Sequence, residues 1–270
     1  MKTVIFSEIE DAVRGLVGKF VPRGSGTLAG HAAAVPFEDL VHEHLERYFE
    51  DRVFRHFDFL NRILEENPKA ITSDERSDLF GPRSLQFLLQ RGVKAMEEWS
   101  EDNKFRVKQN DTAESVILPS KILEVKPTEQ KPLLLVDVKT QDSEKRAQPP
   151  NIISAEKVAN ACRICLEDGE SFLPFDFVYI AIKWKATTKQ LVCEEVNVKS
   201  LIRIPPSDLY INWAAAQQIQ FHPFDVDQSY KKSGIDWAKE YISIFCDQLE
   251  GRIVKEKSKL LEFKKTLGLI

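Results

Sequence analysis

Apolar positions recur at helical spacing over the first part of the chain and shift to strand-like runs in its middle. A helix is predicted to start near Pro36, because proline suits a first helical turn and Phe37, Leu40, Val41, Leu45 and Tyr48 then share one face. The preceding stretch, Pro22 to Ala34, is rich in glycine and alanine and reads as a loop. Helical spacing continues through Phe57, Leu60, Ile63 and Leu64, and through Leu85, Leu88, Leu89, Val93 and Met96. After Trp99 the pattern changes. Phe105 to Leu118 and Leu133 to Val138 read as strands, joined as a long hairpin by the polar, proline-flanked Pro119 to Pro132. Ser154 to Leu166 returns to helix, with Val158, Ala161, Cys162 and Cys165 inward. Phe175 to Trp184 and Leu191 to Val198 are β-branched, aromatic and strand-like. Leu209 to Phe221 stays open: its alanines favour helix, whereas Tyr210/Asn212 and Gln218/Gln220 alternate as a strand would. Trp237 to Leu267 reads as one or two helices ending on a basic face (Lys255, Lys257, Lys259, Lys264, Lys265). With no repeat, low-complexity tract or linker, the simplest organisation is one α/β domain over residues 1–270.

Composition narrows the class. At 270 residues, 43% hydrophobic and 30% charged, the chain is an ordinary globular sequence with material for a large core. No apolar run reaches membrane-spanning length. The N-terminus meets Glu8 too early for a signal peptide, and the 4 cysteines need not form a disulfide framework, so a cytoplasmic setting is expected. The net charge of −4 argues against a protein that coats nucleic acid indiscriminately. Contact with DNA would come from a local basic cleft, which favours a selective enzyme.

The candidate chemistry lies in Leu133-Leu134-Leu135-Val136-Asp137-Val138-Lys139-Thr140. On a strand, Asp137 and Lys139 project from one face, at the end of an apolar run. A carboxylate that holds a hard cation, beside a lysine that orients or activates water, suits phosphodiester hydrolysis. Asp111 supplies a second acid upstream. Acid-x-lysine triplets are common, chance giving about two in a domain of this size. Asp102-Asn103-Lys104, Glu129-Gln130-Lys131 and Glu262-Phe263-Lys264 lack a buried strand behind them. Glu124-Val125-Lys126 also alternates, but its apolar run is shorter and prolines follow. From the residues alone Asp137/Lys139 ranks first and Glu124/Lys126 second.

Several separated strings occur in order: Ser25-Gly26-Thr27-Leu28-Ala29-Gly30-His31-Ala32-Ala33, Gln109-Asn110-Asp111-Thr112-Ala113, Asp137-Val138-Lys139-Thr140, Ala147-Gln148-Pro149-Pro150-Asn151-Ile152-Ile153-Ser154-Ala155, and Leu209-Tyr210-Ile211-Asn212-Trp213-Ala214-Ala215-Ala216. On these strings the chain resembles the HincII-type restriction endonucleases of the PD-(D/E)xK nuclease superfamily. The resemblance implies a central mixed β-sheet flanked by helices. It implies a prokaryotic, cytoplasmic, Mg²⁺-dependent homodimer, paired functionally with a cognate DNA methyltransferase. Such an enzyme cuts double-stranded DNA at the centre of the palindrome GTYRAC and leaves blunt ends. By motif match Asp111 and Asp137 are metal ligands, joined by the carbonyl of Val138, and Lys139 is the catalytic lysine. Gln148 matches a glutamine that wedges into the DNA stack, and Asn151, Tyr210 and Asn212 match DNA-contacting positions. These chemistries suit the roles: an amide reads base edges, and a wedge favours a flexible pyrimidine–purine step. Departures from the pattern are Glu114 in place of an expected aspartate, Pro150 in the wedge loop, and a long segment between Asp111 and Asp137.

Other signals carry less. Cys162 and Cys165, three apart on an apolar helix face, fit core packing better than zinc, since no second cysteine pair exists. His42 and His44 diverge on a helix, and a structural role suits His222. Gly24, Gly26 and Gly30 make no dinucleotide fingerprint. Two other functions fit the same residues: a repair or recombination nuclease of this superfamily, and a catalytically silent DNA-binding relative.

Overall fold

A computed structural model describes residues 4–23, 30–55, 58, 115–118, 128–145, 149–215 and 217–269. The expected strand over Leu133 to Val138 extends further, as β4 (Leu133–Asp142), and is buried on both faces through Val138. Such a run needs cover on each side, and parallel pairing supplies it. β4 lies parallel to β6 (Phe175–Ala186), with Leu133 opposite Phe175 and Asp142 opposite Trp184. A parallel pair requires a crossover, and helix α3 (Ala155–Glu167) lies on the connection. Ser154 starts that helix as its N-cap, its side chain accepting from the Lys157 amide.

Around this pair builds a six-stranded mixed sheet in the order β1-β7-β6-β4-β3-β2. Its remaining members are β1 (Phe20–Pro22), β2 (Val53–Arg55), β3 (Ser115–Ile117) and β7 (Gln190–Ser200), each in antiparallel pairing. One face packs on helices α1 (Val4–Arg14) and α2 (Gly30–Phe49), through Ile9, Leu16, Phe37, Leu45, Leu134 and Val136. The other face packs on α3 and on the first turns of α4 (Gly234–Thr266), through Leu135, Phe177, Cys162, Trp237 and Tyr241. This is the α/β architecture expected, a mixed sheet flanked by helices.

Three local expectations change. Helix α2 begins at Gly30, so Pro36 sits inside it and the predicted loop is shorter than its composition implied. Phe49 fills the core position expected of Tyr48, which is 50% exposed. Leu209 to Phe221 resolves as two strands, β8 (Tyr210–Asn212) and β9 (Gln218–Gln220), which join β5 (Asn151–Ser154) in a second, three-stranded sheet of order β5-β9-β8. Tertiary cover decides this last case: Ile211 and Ile219 point into the core shared with α3 and α4, so alternation prevails over alanine's helix preference. The tail is one 33-residue helix, and only Trp237, Ala238 and Tyr241 of it are buried. The helical stretches expected between residues 57 and 96, and the strand before Ser115, lie outside the described residues.

Among the described residues, Asp176 is the enclosed acid whose ionisation is displaced upward. Ser200 Oγ donates to its Oδ2 at 2.6 Å. Burial nevertheless raises its pKa from 3.8 to about 7, against the opposing pull of Ser200 and Arg203. The folded state therefore holds a proton that the unfolded state releases. The associated stabilisation is complete below pH 3.8 and is lost as pH rises through about 7. Asp176→Asn keeps the shape and cannot ionise. Its thermal midpoint relative to the unsubstituted protein should rise between about pH 5 and about pH 8. A difference that stays constant across that range in calorimetry contradicts the assignment.

Candidate active site and nucleic-acid interface

Along β4 the side chains alternate, so Asp137 and Lys139 leave the sheet on the face that carries Leu135, while Val138 points into the opposite core. Asp137 is 4% exposed. Lys139 Nζ donates to Asp137 Oδ1 at 2.8 Å and lies 2.7 Å from Oδ2. The carboxylate is held at depth and the ammonium reaches outward, with 23% of the lysine side chain exposed. A buried charge is tolerable only when paired, and here the strand's two-residue period supplies the partner.

The neighbouring strands extend this arrangement. Tyr179 lies directly beside Asp137 on β6, and Lys199 on β7 lies opposite Tyr179. Lys199 is nearly buried and donates to the Val226 carbonyl at 3.0 Å. The acid-lysine strand thus sits in a row that no local sequence signal would reveal, because its members come from three strands.

A second cluster forms on the small sheet. Tyr210 and Asn212 share the outer face of β8, Gln218 and Gln220 that of β9, and the register places Asn151 and Tyr210 on either side of Gln220. Gln220 Nε2 donates to Asn151 Oδ1 at 2.7 Å, and Asn212 Nδ2 donates to Gln220 Oε1 at 3.3 Å. Asn151 is exposed and Tyr210 is 61% exposed. The face is uncharged and rich in amides, chemistry that can read donors and acceptors on base edges. Its inner residues Ile152, Ile153, Ile211 and Ile219 share a core with Phe177 and Tyr179. It therefore packs on the same side of the large sheet from which Asp137 and Lys139 emerge. Tyr179 touches Phe221, the residue after Gln220, edge to face at 5.6 Å.

The structure thus brings Asp137 to Lys139, and Asn151 to Tyr210 and Asn212. Asp111 and Gln148 lie outside the described residues. Gln220 was not singled out from the sequence. The alternation Gln218/Gln220 was its only signal, and it gained meaning once β9 proved to be the central strand of the small sheet.

The histidines and cysteines outside these clusters take structural places. His42 Nδ1 lies 2.8 Å from Ser115 Oγ on the α2 side of the large sheet, away from Asp137. Burial lowers its pKa to about 4, so it is neutral near pH 7. Cys162 and Cys165 are buried in the core, and burial pushes the Cys162 thiol upward, away from the thiolate that metals bind. Among the described residues, no group of three or more His, Cys, Asp or Glu is placed to hold a metal, and no helix is long and apolar enough to cross a membrane.

Comparison with known proteins accords with this geometry. A family model described as restriction endonuclease HincII matches residues 12–267. The chain is 41% identical over 252 residues to the type II restriction enzyme HindII of Haemophilus influenzae, covering 93% of each chain. It is 40% identical over 252 residues to the type II restriction enzyme HincII of Haemophilus influenzae, again covering 93% of each. These matches span almost the whole chain and both clusters. The chain belongs to the HincII restriction endonuclease family.

Proposed function

We propose that this protein is a Mg²⁺-dependent type II site-specific deoxyribonuclease. It cuts double-stranded DNA at the centre of GTYRAC, leaves blunt ends with 5′ phosphates, and works beside a methyltransferase that protects the same site. The observation that carries this reading is the Asp137–Lys139 pair at the end of a buried strand, on the sheet face where the amide-rich sheet also packs.

The donor chemistry fits a hard cation, since the Asp137 carboxylate and the Val138 carbonyl both offer oxygen atoms. Asp111 completes the set. β3 runs antiparallel to β4 with Ser115 opposite Val136, so β3 begins beside the Asp137 end of β4. A bound Mg²⁺ would supply Lewis-acid stabilisation of the charge that develops on the scissile phosphate. Lys139, tethered by Asp137, orients the attacking water and offsets that charge. The water oxygen bonds to phosphorus, the P–O3′ bond breaks, the water's proton is lost to solvent, and the 3′ oxygen takes up a proton. Asn151, Tyr210 and Asn212 read the DNA. Gln148, on the segment joining β4 to β5, wedges into the stack and makes the central YR step part of the recognition.

A palindromic site calls for twofold symmetry, and a second copy of the chain supplies it. The outer half of α4 supports this. Leu249, Ile253, Glu256, Leu260, Phe263 and Leu267 follow the alternating four- and three-residue spacing of a helix–helix seam. Phe263 is 67% exposed, and Ile253, Leu260 and Leu267 are likewise open. A like helix from the second copy is the occupant such a seam fits.

Plasmid digestion with Mg²⁺ tests the activity. Discrete blunt fragments whose sequenced ends fall at the centre of GTYRAC are expected. Cuts confined to flaps or junctions, or binding without cutting, would overturn the reading. Asp137→Ala should abolish cleavage, and Lys139→Ala should slow it by roughly 10²- to 10⁴-fold, the usual contribution of one positioned proton-handling group. An active Asp137→Ala enzyme contradicts the site. Leu260→Glu combined with Phe263→Glu should give a monomer in light scattering and reduce double-strand scission to nicking. A variant that remains dimeric rules out the seam.

A further inference from the structure

Resting on the DNA-reading role proposed above, we infer that Gln220 is a specificity-determining positioning residue. It fixes the polarity of the amides on the small sheet, so that Asn151 presents its NH₂ group to DNA and reads a hydrogen-bond acceptor on a base.

The argument starts from the backbone. Asn212 Oδ1 receives the amide N–H groups of Ala214 at 3.1 Å and Ala215 at 3.2 Å. A backbone N–H can only donate, so the oxygen of Asn212 must face that turn and its nitrogen must face away. That nitrogen donates to Gln220 Oε1 at 3.3 Å, which turns Gln220 Nε2 toward β5. There it donates to Asn151 Oδ1 at 2.7 Å. With its oxygen engaged by Gln220, Asn151 has its NH₂ left for a ligand, and no described residue takes it. Orientation is passed from two peptide groups through two side chains to an exposed third. An amide side chain ordinarily reverses at small cost, presenting either a donor pair or an acceptor. Here reversal at Asn151 would set its NH₂ against that of Gln220 or, if Gln220 turned with it, the NH₂ of Gln220 against that of Asn212.

The consequence is chemical selectivity. A presented NH₂ pairs with guanine O6 or N7, adenine N7 or thymine O4, and finds no partner in the amino groups of cytosine or adenine. Gln220 itself sits behind Asn151 and acts through it. Its place in the middle of the register row, with Asn151 on one side and Tyr210 on the other, lets one side chain coordinate both neighbouring strands.

Gln220→Glu reverses the relay. The introduced carboxylate still accepts from Asn212, but it places an oxygen against Asn151 Oδ1 and drives the Asn151 amide to rotate. Gln220→Met removes the relay without adding charge. Binding is measured with Ca²⁺ in place of Mg²⁺, on short duplexes carrying GTTAAC or a scrambled core. Further GTTAAC and GTCGAC duplexes lack one acceptor each: 7-deazapurine for N7, 2-aminopurine for guanine O6, 4-thiothymine for thymine O4. For the unsubstituted protein, one acceptor position should cost about 10- to 100-fold in affinity, the worth of a good base contact. In Gln220→Met and Gln220→Glu that penalty should shrink to less than about 3-fold. Gln220→Met should keep its affinity for the scrambled duplex, and its thermal midpoint should barely move, as suits a partly exposed side chain. A penalty that persists in both variants overturns the inference, as does an equal loss on cognate and scrambled duplexes in Gln220→Met. Failure of the unsubstituted protein to prefer any site over the scrambled duplex would instead refute the proposed function on which this inference rests.

Discussion

The structure depends on the parallel ladder between β4 and β6. Ten consecutive residue pairs hold the two strands together, from Leu133 with Phe175 to Asp142 with Trp184. Because parallel strands are covered on both faces, β4 must be apolar in both directions along its first half. The same rigidity then continues into its second half, where the side chains become polar. A carboxylate placed there inherits the stiffness of the buried strand. It cannot drift toward water, and it is paired with a lysine two residues on. The charge pair is thus a product of the sheet: without the ladder, Asp137 and Lys139 would be one more solvated acid-x-lysine triplet.

The second sheet is locked to the first by groups buried between them. Tyr241 on α4 donates its hydroxyl to the Ala155 carbonyl at 3.0 Å, and Trp237 donates its indole N–H to the Ile204 carbonyl at 2.8 Å. The Ala155 amide in turn donates to the Gln217 carbonyl at 2.8 Å, tying the start of α3 to the strand that carries Gln220. Buried aromatic side chains with polar tips serve this purpose well, since each fills volume and ends a backbone hydrogen bond at once. The row Asp137, Tyr179, Phe221 then links β4 to the small sheet through one cross-strand neighbour and one ring contact. A shift of one would be transmitted to the other, because close-packed interiors deform little.

Legibility in the sequence followed the range of the interactions involved. Leu133 to Val138 announced itself by composition, and the helix start near Ser154, the inward cysteines of α3 and the strand start near Phe175 were readable from local spacing. The start of α2 was misplaced because proline at an inner helical position is rare but tolerated. Tyr48 and Phe49 were exchanged because one residue of helical phase cannot be read from the pattern alone. Leu209 to Phe221 stayed ambiguous because a short segment with alanines satisfies either period until its inner face meets a core.

By itself, the sequence determined the acid–lysine pair and its strand, since a two-residue period places Asp137 and Lys139 on one face wherever that strand lies. It also held, in strings shared with a family, the residues proposed to contact DNA. Only the tertiary structure decided how those residues are oriented. The direction of the Asn151 amide is set by two peptide groups more than sixty residues away in sequence, through Asn212 and Gln220. Hydrogen-bond polarity is a property of neighbours, and β5, β8 and β9 become neighbours only when the chain has folded.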